Sequence, residues 1–190
     1  AERPSGKIGI ESFKAGFLVD QWCEGNITTY PPPPCNGNRT QFINLGYGIA
    51  ANLNNYPSFG SSGISINSSD FNCWHGIHAL GISGGPTVQL NDFNVRDQEA
   101  SPLDDEDGNG EPDWEVVAPY GLHLDNCTDY TVQNNDFVSD NEIYGPFNAG
   151  QTAGIVVRND HGGFEEIYNN TFRRMTVACG AIAQNWSGGE

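Results

Sequence analysis

The stretch Gly121-Leu-His-Leu-Asp-Asn-Cys-Thr-Asp-Tyr-Thr-Val-Gln-Asn-Asn-Asp-Phe137 decides the fold. It opens on glycine and an alternating apolar run, and closes with asparagine two places before phenylalanine. Three other stretches can be laid over it: Gly48-Ile-Ala-Ala running on to Ser69-Asp-Phe71, Gly76-Ile-His-Ala-Leu to Asn91-Asp-Phe93, and Gly154-Ile-Val-Val to Asn170-Thr-Phe172. A fifth copy is expected to open at Gly180-Ala-Ile-Ala-Gln-Asn185. A unit this short cannot bury its apolar face alone, so the copies must stack on one another as a solenoid.

Spacing narrows the choice of solenoid. Phe71 to Phe93 is 22 residues, Phe93 to Phe137 is 44, and Phe137 to Phe172 is 35, which reads as one coil, two coils, and one coil with an insertion. Helical repeats would need long runs of 3.6-residue periodicity, whereas apolar residues here alternate with period two over short runs broken by Gly, Asn and Asp. Ile64-Ser-Ile66, Ile77 to Leu80, Val88 to Leu90, Leu122 to Leu124, Thr131 to Gln133 and Ile155 to Val157 read as strands, and no segment reads as a helix. In stacked coils Ser69, Asn91, Asn135 and Asn170 would form one polar column, bonding to the backbone and to each other. Phe71, Phe93, Phe137 and Phe172 would form an interior aromatic column. Both roles are structural.

On the residues 121 to 137, on Glu166-Ile-Tyr-Asn-Asn-Thr-Phe172 and on Val177 to Asn185, the chain resembles right-handed parallel β-helix repeat proteins. Among them it is similar to the large secreted surface proteins of Bacteroidota-type bacteria. The likeness covers roughly residues 40 to 190 and implies an all-β, right-handed parallel β-helix forming a segment of a longer protein. It says little about activity, because this architecture hosts lyases, hydrolases, tailspikes and adhesins alike. Residues 1–40 fit the repeat poorly and read as an N-terminal coil or cap with a Pro-rich loop; residues 41–190 carry the repeats, with an acidic insertion at about 97–118.

Composition sets further bounds. The chain has 190 residues, 24 of them Gly, with 24 acidic against 8 basic side chains and a net charge of −16. That balance disfavours phosphate backbones and anionic membranes as partners and makes cations the natural counterpart. No apolar stretch approaches the roughly 20 residues of a membrane span, and no signal peptide is evident. The copy opening at Gly180 stops short of its closing Asn and Phe, so further coils or an end-to-end neighbour are expected after Glu190. The six Asn-x-Ser/Thr sites, at Asn26, Asn38, Asn67, Asn126, Asn169 and Asn185, arise freely in an Asn/Thr-rich repeat and are expected to be mostly unmodified.

Five cysteines are an odd number for a complete disulfide set. Cys23 and Cys35 bracket Tyr30-Pro-Pro-Pro-Pro34, and a bridge closing that stiff loop is the first expectation. Cys127 aligns with Ile82 and reads as a small buried hydrophobe. Cys73 and Cys179 could pair only if the coil register brought them together.

The sharpest chemical motif is Leu103-Asp-Asp-Glu-Asp-Gly-Asn-Gly-Glu-Pro-Asp-Trp114. Asp105, Asp107, Asn109 and Asp113 fall at positions 1, 3, 5 and 9 of a calcium loop, with Gly110 at the sharp turn. With Glu111 they form the candidate metal set, hard oxygen ligands turned toward one centre. Position 12 is Val116 rather than a bidentate Glu, so the run is no full EF-hand; it resembles the shorter calcium loops of thrombospondin type 3 repeats and bacterial surface proteins. Calcium there would be structural, ordering an insertion whose carboxylates otherwise repel; the competing reading is a solvated acidic loop.

Catalytic patterns are incomplete. Polygalacturonase-type β-helices resemble one another in an Asn-x-Asp, an Asp-Asp, a Gly-His-Gly and an Arg-x-Lys. Here Asp104-Asp105 belongs to the calcium loop, Asp160-His161-Gly162 lacks the leading Gly, and no Arg-x-Lys exists. A pectate-lyase-type reaction would need a base such as Arg96, Arg158, Arg173 or Arg174 beside calcium. His78 and His123 occupy equivalent positions in aligned copies and could bind a metal or act in acid-base chemistry, although a satisfied side-chain column is favoured; His75 and His161 offer less. Trp22, Tyr30, Tyr47 and Tyr56, near loops, offer an aromatic surface for sugar rings, with filling of the cap as the alternative. No catalytic residue is assigned. The sequence reading is a non-catalytic, secreted or cell-surface scaffold or adhesin module stabilised by calcium and contacting glycans or neighbouring surface proteins; a polysaccharide lyase or glycoside hydrolase of β-helix type is the alternative.

Overall fold

The computed structural model describes residues 8–13, 15–20, 39–52, 63–96, 119–139, 152–158 and 164–182. In chain order the strands are β1 (Ile8–Phe13), β2 (Phe17–Val19), β3 (Thr40–Ile43), β4 (Tyr47–Asn52), β5 (Ile64–Asn67), β6 (Ser69–Cys73), β7 (His75–Leu80) and β8 (Thr87–Gln89), then β9 (Asp92–Val95), β10 (Tyr120–Asp125), β11 (Thr131–Gln133), β12 (Asp136–Ser139), β13 (Ala153–Arg158), β14 (Glu166–Tyr168), β15 (Thr171–Arg173) and β16 (Val177–Ile182). No helix occurs among the described residues, so none is long and apolar enough to cross a membrane.

Three sheets result, all paired in parallel. The first runs β1-β4-β7-β10-β13-β16, the second β14-β11-β8-β5-β2, and the third β15-β12-β9-β6-β3. The chain visits them in strict rotation, each strand lying beside the one three elements earlier, an arrangement compatible with a parallel β-helix. Parallel neighbours cannot be joined by a tight hairpin. Here the connection between them is the passage through the other two sheets. One buried cluster draws on all three sheets, with Ile49, Ile77, Leu122 and Ile155 from the first, Ile64, Ile66, Val88 and Val132 from the second, and Phe42, Phe71, Phe93 and Phe137 from the third.

The polar column is hydrogen-bonded along its whole length. Asn91 Oδ1 accepts the Ser69 N–H at 2.9 Å, Asn135 Oδ1 the Asn91 N–H at 3.0 Å, and Asn170 Oδ1 the Asn135 N–H at 3.0 Å. Each side-chain amide also donates back to a carbonyl of the preceding layer, from Asn91 to Ile66, from Asn135 to Val88 and from Asn170 to Val132, at 2.9–3.0 Å. Ser69, Asn91 and Asn135 are completely or almost completely buried, so these bonds satisfy groups that water cannot reach. The residue just before each column member, Ser68, Leu90, Asn134 or Asn169, has a positive φ between 49° and 59°, which turns the chain into the third sheet.

Five phenylalanine rings stack beside this column. Phe42, Phe71, Phe93, Phe137 and Phe172 lie face to face with centroids 4.6–5.1 Å apart and planes within 9°. Isolated ring pairs prefer offset or edge-on geometry. The parallel stack inherits instead the ~4.8 Å spacing of hydrogen-bonded strands. Facing it is a column of glycines, Gly48, Gly76, Gly121 and Gly154. A Cβ on Gly48 would lie 2.6 Å from the Phe71 ring and 2.7 Å from the Gly76 carbonyl, and Gly76, Gly121 and Gly154 meet the same pair of obstacles one layer on.

Two expectations are corrected. The 44-residue interval is a single circuit with a long excursion, because β9 and β12 are direct neighbours with Phe93 paired to Phe137 and their rings 4.6 Å apart. The extra length falls between β9 and β10, where only the end points must meet the register. The last copy does not open at Gly180: Gly180 pairs with Val156, and Ala178 takes the place of the column glycine, its carbonyl facing Gly154. Beyond β16 no described strand presses on that position, so a methyl group is tolerated.

Asn135→Ala should be among the most destabilising single changes, because it removes the acceptor of the Asn91 N–H and of one Asn91 side-chain N–H, and the side-chain donor to the Val88 carbonyl, at once. Each buried unsatisfied group costs about 1–3 kcal/mol. Urea denaturation should therefore show a loss of at least ~3 kcal/mol, and a loss under ~1 kcal/mol would contradict the column's role. At the surface, Leu90 holds φ 59° while 52 % exposed, where its counterparts are Ser68, Asn134 and Asn169. Leu90→Asn should raise stability by about 1 kcal/mol by relieving left-handed strain; an unchanged or lowered denaturation midpoint would refute this.

Candidate functional site: a histidine and tyrosine cluster beside a cleft

The residue before each column glycine lies in register across the first sheet: Tyr47, His75, Tyr120 and Ala153. Two positions after the glycine a second row runs Ala50, His78, His123 and Val156. In a regular strand, residues three apart face opposite sides. The rings nevertheless meet, with Tyr120 4.3 Å from His75, 6.1 Å edge-on from His78 and 5.2 Å edge-on from His123. The break falls at the glycine: the Cβ position of Gly76 points at Phe93 while the next residue, Ile77, is also fully buried, so two successive residues face the core. Only a residue without a side chain fits that close approach.

The result is a contiguous cluster of five rings. Tyr47 stacks on His75 at 4.6 Å, and His78 lies 4.8 Å from His123. The Tyr120 hydroxyl bonds His78 Nδ1 at 2.9 Å and is also hydrogen-bonded to Tyr47, giving a Tyr47–Tyr120–His78 chain. His75, His123 and Tyr120 are less than a tenth exposed, and His75 Nδ1 and His123 Nε2 are buried without a hydrogen-bond partner.

Burial dominates the electrostatics. It lowers the His75 pKa to about 3, helped by repulsion from His78 and His123. It lowers His123 to about 4, aided by His78 and Arg158 and opposed by Asp125. His78 is lowered by burial against the pull of Asp125, and Tyr120 is raised by burial and by Tyr47. All three imidazoles are neutral near pH 7. A cleft of about 460 Å³ opens beside the cluster between β1, β4 and β7, with Tyr47 and His78 among its walls.

The other candidate residues are accounted for as follows. Ser69, Asn91, Asn135 and Asn170 are brought together in the hydrogen-bonded column, and Phe71, Phe93, Phe137 and Phe172 in the ring stack. The calcium set Asp105, Asp107, Asn109, Glu111 and Asp113, the Cys23–Cys35 pair and His161 lie outside the described residues. Cys73, Cys127 and Cys179 are free thiols. Burial pushes Cys73 and Cys127 up to about 11, which leaves them inert. Among the described residues no three histidine, cysteine or carboxylate side chains are placed to hold a metal ion. Arg39 spans Asp70 at 2.8 Å and Asp92 at 2.5 Å, Arg173 pairs with Asp136, and Arg96 bonds Asn72. Asp70, Asp92 and Asp136 are thus engaged by Arg39 and Arg173 along the third sheet.

Sequence reasoning singled out His78 and His123 but not their joining with His75 and Tyr120. The signal was present in the residue before each opening glycine, which reads Tyr, His, Tyr, Ala down the copies. Comparison with protein-family models, with curated proteins and with solved structures returned no match.

The cluster makes stability depend on pH. The folded pKa of His75 lies below its ordinary value of 6.5, so between the two the unfolded chain binds more protons. Its stabilising contribution is complete above pH 6.5 and is lost as pH falls toward 3. His75→Phe keeps an aromatic ring in the column and removes the titration. Thermal or urea denaturation should show wild type losing stability relative to this variant by about 1.4 kcal/mol per pH unit within that window. Parallel profiles would contradict the assignment.

Proposed function

We propose that this chain is a right-handed parallel β-helix acting as a non-catalytic scaffold or adhesin module of a secreted or cell-surface protein, of the kind found on Bacteroidota-type bacteria. In this reading calcium at Asp105, Asp107, Asn109, Glu111 and Asp113 orders the acidic excursion, and the outer surface contacts glycans or neighbouring surface proteins.

The observation that carries it is the unbroken pairing of asparagine, phenylalanine and glycine columns from layer to layer. These columns commit the repeat's most distinctive residues to holding layers together. The ion pairs of Asp70, Asp92 and Asp136 fit the same picture, since these carboxylates are engaged by arginine rather than directed at a substrate. The strongly acidic surface suits a cation-bathed exterior and argues against nucleic acid as a partner. One observation favours the second reading, a polysaccharide lyase or glycoside hydrolase: His78 in the cleft wall is a neutral imidazole oriented by Tyr120, the form in which a histidine accepts a proton. Against it, Tyr120 and His75 are too buried to meet a substrate directly.

Calcium is the direct test. A ligand that binds the folded state at a hundred times its Kd adds about 2.7 kcal/mol. Millimolar calcium should raise the thermal midpoint of wild type by several degrees relative to chelator, and should leave an Asp105→Ala/Asp107→Ala variant unmoved. No calcium-dependent shift in wild type, or an equal shift in the variant, would sink the calcium part of the reading.

A further inference from the structure

The cleft beside the ring cluster has the form of a ligand site, and we propose that it binds a neutral hexose unit of a glycan; this deepens, and rests on, the adhesin reading. Its origin lies in the register of the first sheet. The row that carries His78 and His123 carries only Ala50 on β4, opposite Glu11 of β1, and Ser12 faces Ala51. Where two neighbouring layers present imidazoles, this one presents a methyl group, and the missing ring leaves the space. At about 460 Å³ the cleft falls within the roughly 300–1,000 Å³ of ordinary ligand pockets.

The walls select the chemistry. A pyranose offers apolar C–H faces, which stack on aromatic rings, and a rim of hydroxyls, which need hydrogen-bonding partners. The aromatic walls are Phe13 and Tyr47, with Leu80 alongside. Phe13 is 64 % exposed at the cleft's edge. The polar side chains on that face are Glu11 and His78, which share a row with Ala50. His78 stays neutral and is held in place through Nδ1 by Tyr120. All of these side chains project from paired strands, so the site is preorganised.

Charge decides among sugars. Glu11 stands in the wall and the whole chain carries −16, so uronates and sulfated or phosphorylated glycans are repelled. A single wall carboxylate suits the hydroxyls of a neutral sugar, to which it offers strong charge-assisted acceptors.

Isothermal titration of the full chain with neutral hexaoses of glucose, mannose and galactose, and with an oligogalacturonate of equal length, tests the assignment. At least one neutral hexaose should bind at millimolar concentration or below, while the oligogalacturonate gives no heat. Phe13→Ala should weaken binding about tenfold, equivalent to ~1.4 kcal/mol. Ala50→Phe should fill the cleft and abolish binding, with circular dichroism unchanged in both variants. If Ala50→Phe fails to fold, Phe13→Ala alone decides. The proposal is overturned if no neutral hexaose binds, if the uronate binds as well, or if Phe13→Ala binds like wild type; each of these leaves the scaffold reading standing. Shortened hexaose products after the titration would instead overturn the non-catalytic reading while supporting the cleft as the sugar site.

Discussion

A buried asparagine that accepts the backbone N–H of the layer beneath is the constraint from which the rest of this structure follows. Each side-chain amide in the column also donates to a carbonyl of that lower layer, so one residue per layer supplies both partners at a turn where strand pairing is interrupted. The bond is short and directional, and at Ser69, Asn91 and Asn135 its members are out of reach of water. A layer can be added only at the height and register that let it form. The phenylalanine two places on is then delivered above its predecessor, and the glycine that faces it must stay bare.

Such a constraint is local, which explains how one circuit can be much longer than another. Val95 closes β9 and Tyr120 opens β10, yet Tyr120 pairs directly with His75 of the neighbouring strand. Loop length adds only slowly to the entropy of closure. The column, the ring stack and the strand pairing fix a few residues per layer and leave the connections free to vary.

The outer face of the first sheet inherits the same logic. Because the column glycine and the residue after it both face the core, the residue before the glycine and the one two places after it come together on the other side of the sheet. Rings in adjacent layers therefore stack there as well. Stacked imidazoles desolvate and repel one another, which keeps them uncharged near neutrality. Where the row carries alanine in place of histidine, as at Ala50, the surface opens into a cleft. The core's packing rule thus shapes both the cluster and the space beside it.

Much of this was legible because the repeat aligns like with like. The asparagine and phenylalanine positions could be read directly, since a polar residue two places before an aromatic one recurs in every copy. The third-sheet strands were not read as strands, because runs such as Ser69-Asp-Phe-Asn-Cys73 are too polar to show period-two hydrophobicity. The 44-residue interval misled because length alone cannot separate two layers from one layer with an excursion. Gly180 misled because glycine also occurs away from the column. The ring cluster stayed hidden because His75 and His78 are three apart, a spacing that places side chains on opposite faces unless the backbone bends at the glycine between them.

Native-state amide hydrogen exchange at Ser69, Asn91 and Asn135 tests the central claim most directly, because each of these N–H groups bonds to a side-chain oxygen in the next layer. The account predicts protection at all three as strong as that of the central strands β7 and β10, released only by global unfolding. Rapid exchange at these three positions while β7 and β10 stay protected would contradict it.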